Sequence, residues 1–93
     1  VNARLTSEER QWLHSLIREK LELGREEWIE DTTDVRELPG IDSMKILRLV
    51  AGIELGFHVD LGFEAIPEVQ TVQDIERLIC QARERYAVNA PSD

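Results

Sequence analysis

Three stretches of this chain carry apolar residues at three- and four-residue steps, each behind a helix-start signal. No stretch shows a two-residue alternation with a second one to pair with, so the pattern restricts the fold to packed helices. Thr6 and Glu9 form a T-x-x-E capping box. Trp12, Leu13, Leu16, Ile17 and Leu21 then share one face, which predicts a first helix over residues 7–23 with Gly24 as its stop. Asp42-Ser43 opens a second helix, expected over 43–55 and ended by Gly56. Phe57, Val59, Leu61 and Phe63 alternate without a partner strand, so they read as a linker into a short helical turn over 62–66, closed by Pro67. Thr71 with Asp74 caps the last helix, 72–86, on which Val72, Ile75, Ile79, Ala82 and Tyr86 share a face. Residues 87–93 are expected to be a flexible tail.

The connection over 25–42 is long for a compact domain unless something pins it, and Trp28, Ile29, Val35 and Leu38 are the candidates to drop onto the bundle. The expected architecture is a single all-α domain over residues 1–93: a small four-helix bundle of three longer helices and one short one, with a long first loop.

A chain of 93 residues buries only about 60–65% of its unfolded surface, which leaves little room for a deep catalytic cavity. Its formal charge of −8 repels phosphate backbones. The arginines at 77, 83 and 85 are interleaved with Glu76 and Glu84, so no basic block offsets that repulsion and nucleic acid is not an expected ligand. The one cysteine, Cys80, excludes an internal disulfide. No apolar run approaches the length of a membrane span and no signal-peptide pattern opens the chain, so a cytoplasmic monomer is expected.

The second helix has more apolar surface than one core stripe requires. With Met44 at zero and 100° per residue, Ile46, Leu49, Val50 and Ile53 fall between about 140° and 240°, with Leu47 at the border. Met44, Arg48, Ala51 and Leu55 form a second regular strip almost opposite, flanked by Lys45 and Gly52. Such a strip is either covered within the domain or presented to a partner. The expectation for Leu55 is cover by the long first loop, with partner contact as its other reading. For Met44, beside the polar Asp-Ser, partner contact is preferred, where a flexible methionine suits several surfaces, with burial as its other reading.

GIDSM followed by an apolar helix resembles the 4′-phosphopantetheine attachment site of acyl and peptidyl carrier proteins, whose usual form is Leu-Gly-x-Asp-Ser-Leu/Met. IEDTTDVREL is similar to that family's first loop, GFHVDL to the exit from its second helix, and IPEVQTVQDIERLI to its short third and capped fourth helices. The resemblance covers roughly residues 8 to 86. It implies an acyl-carrier-like bundle in which a phosphopantetheinyl transferase joins the Ser43 hydroxyl to the phosphate of a coenzyme A-derived 4′-phosphopantetheine arm. Acyl or aminoacyl groups then ride on the arm's thiol as thioesters. Asp42 would cap the helix and, in the family, help the transferase reaction. Capping alone also explains Asp42, and the helix N-terminus suits a phosphodiester.

Two departures stand out. Pro39 occupies the position of the family's usual leucine, with Leu38 displaced by one. Lys45 and Arg48 occupy positions that are commonly acidic in fatty-acid-synthesis carriers, which dock on basic patches. The sign reversal points to a specialised pathway, polyketide or nonribosomal peptide assembly, with ketosynthase, acyltransferase or adenylation-type loading enzymes as partners. Met44, Lys45, Arg48, Ala51 and Leu55 are the candidate docking residues. The alternatives are a fatty acid synthesis carrier and an unmodified interaction module of the same fold.

An enzyme using Ser43 as nucleophile would need a base, and G-x-S-x-G is absent. His14 reads as a surface residue and His58 as part of the linker, so no catalytic residue is assigned. His58, Asp60 and Glu64 lack the dense spacing of a metal site, and none is expected. Cys80 reads as a small core filler.

Overall fold

The computed structural model describes residues 4–24 and 28–89, with side chains described through residue 85. It contains α1 (Ser7–Lys20), η1 (Val35–Glu37), α2 (Ser43–Phe57), η2 (Phe63–Glu68) and α3 (Val72–Asn89), where η marks a 3-10 helix. No strand occurs among the described residues; one isolated antiparallel bridge pairs Asp34 with Thr71. The protein is the small acyl-carrier-like helical bundle that the sequence predicts, with a 3-10 turn added inside the first loop.

Each long helix contributes an apolar stripe to one core. Leu13, Leu16 and Ile17 of α1 meet Ile46, Leu49, Val50, Ile53 and Phe57 of α2 and Val72, Ile75, Leu78, Ile79 and Ala82 of α3. Burying each large side chain contributes about 1.5–3 kcal/mol, the main cohesive force in a domain this small. Trp12 departs from its expected core position: it is 43% exposed at the edge of the stripe. Its ring meets Phe57 edge-on at 4.8 Å and covers the backbone of Gly56. The side chain of Tyr86, expected on the core face of α3, lies outside the described residues.

Both glycine stops fall two residues from the observed turns. α1 ends at Lys20, short of residue 23, because Glu22 adopts a left-handed conformation with φ 55°. Its N–H donates to Glu19 O and that of Leu23 to Arg18 O, the paired bonds of a Schellman motif. α2 runs past Gly56 to Phe57 and turns at His58, φ 57°, with Val59 N–H donating to Glu54 O. In each case the residue after the turn, Leu23 or Val59, packs against the core. That contact offsets the cost of about 1–2 kcal/mol for a side chain in the left-handed region.

The short helix is a 3-10 helix over 63–68 with Pro67 inside its last turn, rather than a turn closed by Pro67. α3 continues to Asn89, where a flexible tail from residue 87 is expected. Ala87 and Val88 carry no helix breaker, and Pro91 disfavours helix only at the residue before it. Residues 90–93 of that tail lie outside the described residues.

The first loop is pinned through its main chain. Val35 N–H donates to Gln70 O at 2.8 Å, Val72 N–H to Thr33 O at 3.3 Å and Gln73 N–H to Asp31 O at 2.9 Å. These bonds turn Ile29 and Val35 into the core, with Leu38 half-buried against it. Trp28 does not pin the loop: Ile29 takes the inward position and Trp28, one residue earlier, is 74% exposed.

Ion pairs tie α1 to α3. Arg10 meets Glu76 at 2.9 Å, and Arg83 donates to both carboxylate oxygens of Glu9 while lying 5.5 Å over the Phe57 ring. Glu9 also completes the capping box, accepting from Thr6 N–H at 2.9 Å. The Arg83 guanidinium, then the Thr6 N–H, hold its carboxyl down at about 2, against an ordinary 4.5. Arg83 is correspondingly raised. The Thr71 N–H lowers Asp74 in the same way at the start of α3.

Candidate functional site

The start of α2 combines an exposed hydroxyl with a well-formed cap. Asp42 Oδ1 accepts from Lys45 N–H at 2.9 Å, and Ile46 N–H donates to Asp42 O at 3.2 Å. Asp42 is therefore the N-cap, and Ser43 is the first helical residue. The Ser43 and Met44 amides have no intrahelical carbonyl to bond, as at every helix start, and they sit at the positive end of the helix dipole. Ser43 is exposed, and none of the hydrogen bonds among the described residues involves its hydroxyl. Gly40, with φ 76°, makes the turn that delivers the chain to this cap.

Residues 11–79 match the family model described as "Phosphopantetheine attachment site". The chain belongs to that family. No curated protein matches it, and no solved structure does.

Domains of this family are the site of covalent 4′-phosphopantetheine attachment, and the protein is a phosphopantetheine-bearing carrier. Such carrier domains are generally non-catalytic and interact with transferases and synthase enzymes. When bound, the arm supplies a terminal thiol that holds an acyl group as a thioester. The residues present fit an attachment of this kind. The matched span contains two serines, Ser15 and Ser43, both exposed. Ser15 lies inside α1, whereas Ser43 stands on a helix N-terminus, where a phosphodiester meets unpaired N–H groups and a favourable dipole.

The second apolar strip of α2 faces solvent. Met44 is 56% exposed and Leu55 is 79% exposed, and Ala51 and Arg48 are exposed between them. The expected cover of Leu55 by the first loop does not occur, because that loop is tied instead to Gln70, Val72 and Gln73 at the start of α3. Lys45 stands apart from the strip: its side chain is mostly buried, with Nζ 4.0 Å from Glu22 Oε2. Arg48 reaches the same oxygen at 3.8 Å.

Glu22 is thus a neighbour of this face that periodicity missed. Its placement depends on the left-handed turn after α1, which no local signal announces. Phe63, the first residue of η2, is 77% exposed.

The remaining polar candidates divide differently. His58, Asp60 and Glu64 line an open cleft of about 600 Å³ with Val59, Leu61, Ala82 and Arg85. Among the described residues no three His, Cys, Asp or Glu side chains stand close enough to hold a metal ion. His14 is half-buried and Cys80 partly exposed. No helix among the described residues is long and apolar enough to cross a membrane.

Proposed function

We propose that Ser43 is the residue that carries the 4′-phosphopantetheine arm, and that the protein shuttles acyl or aminoacyl intermediates between enzymes of a polyketide or nonribosomal peptide pathway. The observation that carries the attachment reading is the exposed Ser43 hydroxyl, first residue of α2, directly after the Asp42 cap. Asp42 fixes where the helix begins and so where that hydroxyl stands; it is also the charged residue nearest Ser43 in sequence for a transferase to recognise. Support for a specialised pathway comes from the α2 face. Met44, Ala51 and Leu55 present apolar contacts, and the exposed Arg48 adds positive charge where fatty-acid-synthesis carriers are commonly acidic, with Lys45 tucked beside it against Glu22. Matching charge across an interface sets partner choice more than raw affinity.

The test is intact-mass measurement after incubation with coenzyme A and a broad-specificity phosphopantetheinyl transferase. The wild-type chain and Ser15→Ala should each gain one phosphopantetheine mass, and Ser43→Ala should gain none. Modification that persists in Ser43→Ala and disappears in Ser15→Ala would transfer the assignment to Ser15.

A further inference from the structure

The short helix η2 is held at both ends by charged side chains that belong to other elements. At its start, Glu54 Oε2 of α2 accepts from Leu61 N–H at 2.8 Å and from Gly62 N–H at 3.1 Å. At its end, the Arg36 guanidinium of η1 donates from Nε to Val69 O and from Nη2 to Ile66 O. Hydrogen bonds with one ionised partner are roughly twice as strong as neutral ones, and each of these clamps makes two.

The packing of η2 is slight by comparison. Ala65 is its one fully buried side chain, Phe63 is 77% exposed, and Glu64, Pro67 and Glu68 are exposed. At its two ends, Ala65 N–H donates to Gly62 O and Val69 N–H to Ile66 O. Eight of the largest fully buried side chains lie on α1, α2 and α3, whereas none of them lies on η2.

We infer that Glu54 and Arg36 are latches that set the position of η2, so that η2 opens as one unit while α1, α2 and α3 stay folded. The two latches act on a single rigid segment, so weakening either end loosens the whole. Opening would uncover the side of the bundle that Leu61, Ala65 and Val69 close. The elements least supported by buried apolar contact are those that open first in native proteins.

The test is site-resolved amide hydrogen exchange on the full chain and on Glu54→Gln and Arg36→Gln. Ala65 and Val69 are the reporters, because their N–H groups bond main-chain carbonyls and not the mutated side chains. In either variant, exchange at both reporters should rise on the order of tenfold, while the protected amides of α1 and α3 keep their wild-type rates.

Two results would overturn the latch. One is a change confined to the mutated end, Leu61 and Gly62 in one variant and Val69 in the other, which would make the ends independent. The other is a rise shared equally by α1 and α3, which would make η2 part of the global unfolding unit. If Arg36→Gln does not fold, Arg36→Lys, which keeps one donor, replaces it and should give the same paired rise at a smaller factor.

Discussion

The outer ring of Trp12 occupies the space above Gly56: a β-carbon built on Gly56 would lie 1.7 Å from Cη2 of the indole. The glycine that reads as a helix stop in the sequence is thus a seat for an aromatic ring inside α2. Trp12 in turn meets Phe57, and Arg83 lies over the Phe57 ring.

Gly56→Ala should therefore destabilise the domain by overpacking, by about 1–3 kcal/mol, despite alanine's better helix propensity. The double variant Trp12→Ala/Gly56→Ala should be less destabilised than the sum of the single changes, since the clash needs both partners. Urea denaturation of the four proteins measures that coupling; strict additivity would mean that the ring is free to swing away.

Glu9 predicts the acid response. Its folded pKa of about 2 lies below the ordinary 4.5, so its contribution is complete above pH 4.5 and is lost as the pH falls towards 2. The pair lies at the domain surface, which screens it to the order of 1 kcal/mol. The stability gap between wild type and Glu9→Gln should be widest at neutral pH and narrow across that window. No gap at any pH would leave Glu9 with the capping bond alone, which Gln also makes.

At the start of α2, Asp42→Ala should cost about 1 kcal/mol through loss of the bond to the Lys45 N–H. Asp42→Asn, which keeps an acceptor, should recover most of that stability. If transfer of the phosphopantetheine arm stays slow in Asp42→Asn although stability returns, the carboxylate serves the transferase as well as the helix. Equal recovery of both would leave capping as its whole role.

On the exposed strip, Met44→Ala should leave thermal stability nearly unchanged, because its side chain is largely in solvent. It should lower the rate of transfer by partner enzymes. Arg48→Glu should likewise shift partner preference more than stability, although it places a second carboxylate beside Glu22. A melting temperature lowered by many degrees in either variant would put that residue in the fold rather than on the docking surface.

Ile53→Asp provides the contrasting case. Ile53 is 1% exposed on the opposite face of the same helix, so an unpaired carboxylate there should unfold the domain. Loss of the helical circular dichroism signal at neutral pH is the expected reading.

Local chemistry made much of this protein legible from the sequence. The T-x-x-E box, the Asp42 cap and the Thr71–Asp74 start each depend on side chains reaching main-chain atoms three residues away, and all three form. The Ile46–Leu49–Val50–Ile53 stripe follows from the helical period alone, which is why it could be phased without coordinates. GIDSM carried the family likeness for a related reason: the cap and the hydroxyl are adjacent in the chain.

Only the tertiary structure decided where the helices stop, what the first loop covers and which charges meet. Glu22 and His58 turn left-handed because the residues after them gain core contact, a term that outweighs the convenience of a nearby glycine. Leu55 is exposed because the loop's main chain is bonded to α3's start, a partner some forty residues away in sequence. Glu22 beside Lys45 and Arg48, Glu9 beside Arg83, and Arg36 on η2 are likewise set by distant segments. Periodicity reports which way a side chain faces on its own helix; what stands opposite depends on how the helices pack.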